Sequence, residues 1–207
     1  MNKDRLFKEK TTQAVHKFWE KDLSPGHDSG DLSIRDEGTG DIYICPRPDE
    51  DLDIPNWGEI TKDDIVKINI DGEVIGDSGH LPTVEAPMHL HIYRAREDIN
   101  SIVHSHALWS SAFACTGQNI PLALAEQSLF IGGEVECAEY GSVGSTKLAR
   151  NIVNALGDDK KAALMRNHGA VCLGKDIEEA FIVSDFLEKG AKTIIAGNVL
   201  GEIITRD

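Results

Sequence analysis

The sequence lacks several features, and each absence argues against a class of protein. Its four cysteines include no Cys-x-x-Cys pair, so a thiolate metal site or a disulfide scaffold is disfavoured. The longest basic run is a pair such as Lys160-Lys161, and the formal charge is −14, which disfavours nucleic acid and anionic membranes as partners. No apolar run approaches transmembrane length, and Met1–Asp4 opens into charge, unlike a signal peptide. We therefore expect a cytoplasmic protein with reduced thiols.

Length and composition predict one globular domain over residues 1–207, of which 41% are apolar. Hydrophobic patterns predict two hairpins, at 32–45 and at 65–75, the second with the turn signal Asp71-Gly72. Strands are also predicted at 99–104, 162–166 and 170–173.

Helical spacing predicts an amphipathic helix over 4–21 and a long helix from Asp176 that ends at Gly197-Asn198. Further helices are predicted over 85–97, 108–115 and 145–156. We expect a single-domain α/β fold in which helices flank a central, largely antiparallel sheet.

Three histidines lie where strands are predicted to end. His104 and His106 alternate along an extended segment and so point to one side, while His168 follows a separate predicted strand. Three neutral nitrogens with an open fourth position are typical of a catalytic zinc site. The alternative is structural: a polar strand edge for His104 and His106, and a turn residue for His168.

Four segments together resemble the class II aldolase/adducin family, which includes sugar-phosphate aldolases and 4-epimerases. They are Ser29-Gly30-Asp31-Leu32-Ser33-Ile34-Arg35, Glu85 with Pro87-Met88-His89, Ile102-Val103-His104-Ser105-His106-Ala107, and Arg166-Asn167-His168-Gly169. The resemblance spans residues 5 to about 197 in the order and spacing of that family, and it is not specific to one substrate.

The resemblance implies a zinc ion held by His104, His106 and His168, although other divalent transition metals suit the same nitrogens. It implies that Glu85 binds the resting metal and then acts as the base. A buried carboxyl group with a raised pKa is suited to that task, whereas an ordinary first-turn glutamate would only complement the helix dipole. His89 lies four residues after Glu85 on the same helical face, so we expect it either to support the site by hydrogen bonding or to pack in the core.

The predicted substrate-binding residues are Ser29, Gly30, Asp31, Arg47 and Thr83. Where the sugar-phosphate members of the family bind phosphate, this sequence has Asp31, Arg47-Pro48 and Thr83-Val84. Asp31 repels phosphate and Pro48 removes a backbone donor, whereas Arg47 suits phosphate or carboxylate. Phosphate recognition is therefore left open.

The expected activity is that of a metal-dependent lyase, which cleaves a ketose or a ketose 1-phosphate by aldol chemistry through a zinc-stabilised enediolate. The alternatives are a decarboxylase of a β-keto sugar acid, a sugar-phosphate 4-epimerase and, least favoured, a non-catalytic adducin-like binding module. Ala125 stands at the place of the aldolase tyrosine and Leu129 at that of the epimerase aspartate. Glu126, Tyr140 and Tyr43 remain as alternative proton donors. The resemblance also implies a homotetramer with active sites between subunits.

Overall fold

The computed structural model describes residues 3–24, 29–48 and 56–205. Its seven strands form one sheet: β1 (Asp31–Arg35), β2 (Ile42–Ile44), β3 (Val66–Ile68), β4 (Ser101–Ser105), β5 (Cys137–Ala138), β6 (Ala162–Met165) and β7 (Gly169–Gly174). The spatial order is β3-β2-β1-β4-β7-β6-β5, and every neighbouring pair is antiparallel except β5 and β6. The predicted α/β class with a largely antiparallel sheet is confirmed.

Five α-helices cover the sheet: α1 (Lys3–Glu20), α2 (Ala86–Ala95), α3 (Leu108–Thr116), α4 (Thr146–Leu156) and α5 (Ile177–Leu200). Helices α1, α3 and α5 share one apolar core with one face of the sheet, and α2 and α4 share a second core with the other face. A 3₁₀ turn (Trp57–Glu59) and a π-helical turn (Gln127–Ile131) complete the described elements. Among these residues no helix is long and apolar enough to cross a membrane.

The alternation of β4 explains which side chains reach each core. Val103 packs in the core of α1, α3 and α5, whereas Ile102 packs in the core of α2 and α4. Since successive side chains point to opposite faces, His104 shares the face of Ile102 and lies on the α2 side. In β1 the same rule puts Leu32 and Ile34 on the α1 side. The polar residues that matter for the site therefore lie beneath the start of α2.

Two sequence-based boundaries were wrong. The second hairpin closes, but residues 73–75, predicted as its return strand, form no strand. They are exposed at the sheet edge, and only Val74 forms a β-bridge, to Ile68. Helix α5 continues through Gly197 to Leu200, where Gly201 ends it. A side chain at position 197 would meet the Cδ1 atom of Ile203 at 2.5 Å, so the chain beyond the helix packs against the space that this glycine leaves.

Candidate metal centre and active site

The three histidines meet at one end of the sheet. His104 is in β4, His106 follows that strand, and His168 lies in the turn between β6 and β7. One ligand nitrogen of each ring lies within 4.8 Å of those of the other two, and the ring centroids are 4.8 to 4.9 Å apart. His104 is buried, and the other two are partly buried. The group could therefore hold a metal ion.

Hydrogen bonding and burial prepare these rings as ligands. The Nδ1 atom of His104 lies 3.1 Å from the carbonyl oxygen of Ala170, to which it can donate, and this leaves Nε2 with its lone pair, 3.2 Å from Nε2 of His106. Nδ1 of His168 is buried without a hydrogen-bond partner among the described residues. Burial, together with the neighbouring rings, lowers the pKa of each of the three histidines to about 4. All three are neutral at pH 7, as metal binding requires.

Strand pairing, a tight turn and the close packing around one glycine bring the rings together. His104 pairs with Val171 across β4 and β7. Asn167 takes the positive φ of 58° that turns the chain from β6 into β7. A Cβ atom on Gly169 would lie 2.3 Å from the carbonyl oxygen of Ser105 and 3.0 Å from Cδ2 of His106. Glycine at position 169 therefore permits the close packing of the two histidine-bearing segments.

Glu85 stands at the N-terminus of α2 beside this group. Its Oε1 atom accepts a hydrogen bond of 3.0 Å from the backbone N–H of Gly144 and lies 4.0 Å from Nδ1 of His168. Its Oε2 atom is buried and has no hydrogen-bond partner among the described residues. Burial first, and then the negative charge of Asp31, raises the pKa of Glu85 to about 7, although the Gly144 N–H opposes the shift. The carboxyl group is therefore poised to exchange a proton near neutral pH.

A buried hydrogen-bond network lies behind Glu85. Asp31 accepts from Thr83 Oγ1 at 2.5 Å, and its other oxygen lies 2.8 Å from Nε2 of His89. Nδ1 of His89 lies 2.7 Å from Ser33 Oγ, which in turn contacts the Tyr93 hydroxyl at 2.8 Å.

The network holds a buried anion close to the metal-binding group. Burial alone would raise the pKa of Asp31, but the charge and hydrogen bond of His89, with help from His104 and Thr83, hold it at about 2. His89 is 0% exposed, and both of its ring nitrogens have hydrogen-bond partners. It therefore combines the two alternatives that its spacing left open, hydrogen bonding and packing in the core. It hydrogen-bonds to Asp31 and is also packed in the interior, and its support of the site stays a prediction.

The predicted substrate-binding residues differ in what they contact. Asp31 and Thr83 are buried and bonded to each other. Gly30 has a φ of +71°, and a Cβ atom there would lie 2.6 Å from the His104 carbonyl oxygen, so it packs directly against β4. The carbonyl of Ser29 accepts from Trp57 Nε1 at 3.3 Å. Arg47 is partly buried, and its Nε has no partner within the described ranges. Direct substrate binding by these residues stays a prediction.

The alternative proton donors occupy different parts of the fold. Tyr43 is buried in β2 and donates to Asp4 of α1, and burial, together with this carboxylate, raises its pKa. Glu126 pairs with Lys189 at 2.6 Å. Tyr140 is 53% exposed, in the loop between β5 and α4 that also carries Gly144. The general acid therefore stays open.

The sequence analysis did not predict the contact of Gly144 with Glu85, or the hydrogen bonds of Ser33 and Tyr93 behind the site. The two polar side chains follow the alternation of β1 and the helical spacing of α2, but only the packing of these elements shows that they meet. The signal for Gly144 was its place just before Ser145, whose side chain caps α4.

Comparisons with known proteins agree with this geometry. The sequence pattern of the family described as "Class II Aldolase and Adducin N-terminal domain" matches residues 9–195. An L-fuculose phosphate aldolase of Methanococcus maripaludis (strain C5) is 34% identical over 173 residues, which cover 84% of this chain and 87% of that protein. A 5-deoxy-D-ribulose 1-phosphate aldolase of Bacillus thuringiensis serovar kurstaki is 34% identical over 173 residues, covering 84% and 77% of the two chains.

A solved structure of an L-fuculose 1-phosphate aldolase matches the fold with a TM-score of 0.87 and 29% identity, covering 97% of this chain and 90% of that one. These similarities confirm the predicted family, the fold class and the class of reaction. The chain belongs to the class II aldolase and adducin family and is an enzyme of its aldolase type, a carbon–carbon lyase.

Proposed function

We propose that this enzyme cleaves a ketose, or a ketose 1-phosphate, into a dihydroxyacetone-type fragment and an aldehyde. His104, His106 and His168 would hold the metal, and Glu85 would act as the base. The observation that carries the proposal is the meeting of three neutral imidazoles beside a buried carboxylate oxygen that has no partner among the described residues. The relatives named as aldolases of fuculose phosphate and deoxyribulose phosphate support the class of substrate.

We propose zinc as the native metal, because three imidazole nitrogens suit it, while manganese, cobalt and iron fit the same donors. The donor set fits a cation, since His104 is oriented through Ala170 and Nδ1 of His168 is buried without a partner among the described residues. When bound, a divalent metal supplies a Lewis acid that stabilises negative charge on substrate oxygens.

The task of Glu85 is to accept a proton and return it. A carboxyl group with a pKa of about 7 is populated in both forms at neutral pH, which an exposed glutamate is not. The Gly144 N–H orients Oε1, and the buried site excludes the water that would compete for Oε2. A nearby cation lowers the pKa of a carboxyl group, so activity that depends on ionised Glu85 should rise with pH through a value at or below 7.

Among the proposed substrate-binding positions, Arg47 has the clearest support, because its buried Nε is a charged donor without a partner in the described parts of the chain. A guanidinium group suits phosphate and carboxylate alike. Gly30 lies against β4 next to His104. Since Asp31 and Thr83 hydrogen-bond to each other, we propose that they support the site from the interior.

Arg47 also favours one second candidate, the decarboxylation of a β-keto sugar acid. There the bond that breaks joins the carbon skeleton to a departing carboxylate, and the same protein groups stabilise the charge that remains. A panel of ketoses, ketose phosphates and sugar acids, scored for aldehyde against carbon dioxide, separates the two reactions. Release of carbon dioxide without aldehyde would replace the aldolase proposal by the decarboxylase.

We further propose a cytoplasmic homotetramer in which neighbouring subunits complete each active site. Val84 and Val143 are 41% and 59% exposed on either side of the contact between Gly144 and Glu85, as expected of a surface that a second copy covers. Mass photometry at working concentration tests the assembly, and a purely monomeric active enzyme would contradict it.

Two variants test the roles of the site residues. We expect His106→Ala to lose the metal, measured as bound zinc per chain, because only two of the three nitrogens remain. We expect Glu85→Gln to keep the metal but to lose at least about 10²-fold in kcat, the usual scale for removing a general base. Wild-type turnover of Glu85→Gln would show that Glu85 is not the base.

A further inference from the structure

One backbone contact to Glu85 comes from the loop between β5 and α4. Gly144 in this loop has a φ of +71°, in the left-handed region that disfavours side chains. Its N–H donates to Oε1 of Glu85 at 3.0 Å. A Cβ atom on Gly144 would lie 2.8 Å from the carbonyl oxygen of Val84, the residue directly before Glu85. The loop thus meets both the carboxylate and the backbone that leads into it.

The loop is anchored on both sides of Gly144. A Cβ atom on Gly141 would lie 2.5 Å from the backbone nitrogen of Leu148, so the loop packs tightly on the first turn of α4. The Ser145 side chain caps that helix by accepting from Leu148 N at 3.1 Å, and the Ser145 N–H donates to the Ser142 carbonyl at 3.0 Å. The direction of the Gly144 N–H is therefore fixed by packing before any substrate binds.

This contact makes the two oxygens of Glu85 unequal. Oε1 is occupied, whereas Oε2 is buried with no partner among the described residues. A buried polar atom without a partner is uncommon in folded proteins and calls for a specific explanation. Oε1 is also the oxygen that lies 4.0 Å from Nδ1 of His168, so the fixed N–H sets the direction of the carboxylate beside this ring.

We propose that Gly144 is a positioning residue, whose backbone N–H holds Oε1 of Glu85 and so keeps the carboxylate directed at the histidine group. This inference rests on the proposed function, because it assumes that Glu85 is the base. It assigns a role to a loop that carries no catalytic side chain of its own at this contact.

The sharpest test removes the donor and nothing else. Replacing Gly144 by glycolic acid during translation converts its amide to an ester, which deletes the N–H without adding an atom. We expect kcat to fall about tenfold to hundredfold, the scale of one hydrogen bond to a charged group, with KM within about twofold of wild type. Gly144→Ala should also lower kcat, because its Cβ atom must displace the Val84 carbonyl.

Gly40→Ala is the matched control. Gly40 has a φ of +79°, and a Cβ atom there meets nothing within 4 Å, so this variant carries the same backbone strain without the contact to Glu85. We expect wild-type kcat from it. A structural role alone would move the unfolding temperature of the Gly144 variants without separating kcat from KM.

A second readout is independent of turnover. In protein loaded with Co²⁺, the visible absorption band reports the ligands of the ion. We expect the ester variant to shift this band in the same direction as Glu85→Gln at one Co²⁺ per chain, while Gly40→Ala keeps the wild-type band. An ester variant with wild-type kcat and band overturns the role of Gly144. Full activity of Glu85→Gln would instead overturn the proposed base, so the two failures are distinguishable.

Discussion

The burial of the three histidines predicts that acid will weaken metal binding far less than it does at an exposed histidine site. Protons compete with the metal for each nitrogen, so affinity follows the fraction of neutral rings. With the ordinary pKa of 6.5, each ring would be only about 9% neutral at pH 5.5, and three such rings would lose about 600-fold in affinity between pH 7 and pH 5.5.

The structure gives a different result. With a pKa of about 4, each of the three rings (His104, His106 and His168) stays about 97% neutral at pH 5.5. Together they therefore reduce the metal affinity by less than about twofold. Glu85 behaves in the opposite way. Because its pKa is raised to about 7, its ionised fraction falls from about 50% at pH 7 to about 3% at pH 5.5. If Glu85 is a ligand, the zinc affinity of the wild-type protein should therefore fall about 15-fold between pH 7 and pH 5.5.

The assay is a competition titration of apo protein with zinc and a chelator of known affinity at both pH values, with circular dichroism to verify that the protein stays folded. Glu85→Gln removes the contribution of the carboxylate and isolates the histidines. We expect its affinity to change by less than about twofold, against about 15-fold for wild type. A loss above about 100-fold in Glu85→Gln would refute the argument that burial keeps these rings neutral.

Three further substitutions test the surroundings of the site. We expect His89→Phe to destabilise the fold by about 1–3 kcal/mol or more in urea unfolding, because it leaves a buried carboxylate oxygen of Asp31 without its hydrogen-bond partner; an unchanged midpoint would contradict this. Gly169→Ala should weaken zinc binding at least about tenfold and destabilise by about 1–3 kcal/mol, because its Cβ atom would lie 2.3 Å from the Ser105 carbonyl oxygen; wild-type zinc affinity would argue against that contact. Asp176→Ala removes the side-chain cap of α5 and should cost about 1 kcal/mol while zinc stoichiometry stays at the wild-type value, so loss of zinc would count against a purely local effect.

The histidine cluster was predictable because it depends on local rules. Alternation along β4 sets the direction of His104, and an antiparallel return through β7 brings His168 to the same end of the sheet. Helical spacing likewise put His89 below Glu85. The hydrophobic pattern gave the type of each element, whereas the meeting of the two histidine-bearing segments was expected from the family resemblance, because no strand order was predicted.

The environment of Asp31 was not predictable in the same way. Asp31 begins strand β1, and nothing local indicates that His89 and Thr83, more than fifty positions later, hydrogen-bond to its two carboxylate oxygens. The pairing depends on how α2 docks on the sheet, a packing result of many apolar contacts. The family resemblance suggested a substrate contact at Asp31, and only the packing shows that its carboxylate is hydrogen-bonded to Thr83 and His89.

The charges at the site account together for the donor set and for the raised pKa of Glu85. Three rings held neutral by burial contribute lone pairs but no positive charge, while Asp31 is ionised close by. Ionisation of Glu85 would add a second negative charge in a poorly solvated region, and this is why its proton is retained up to about pH 7. A divalent cation would balance the two carboxylates, so the metal and the ionised base should favour each other.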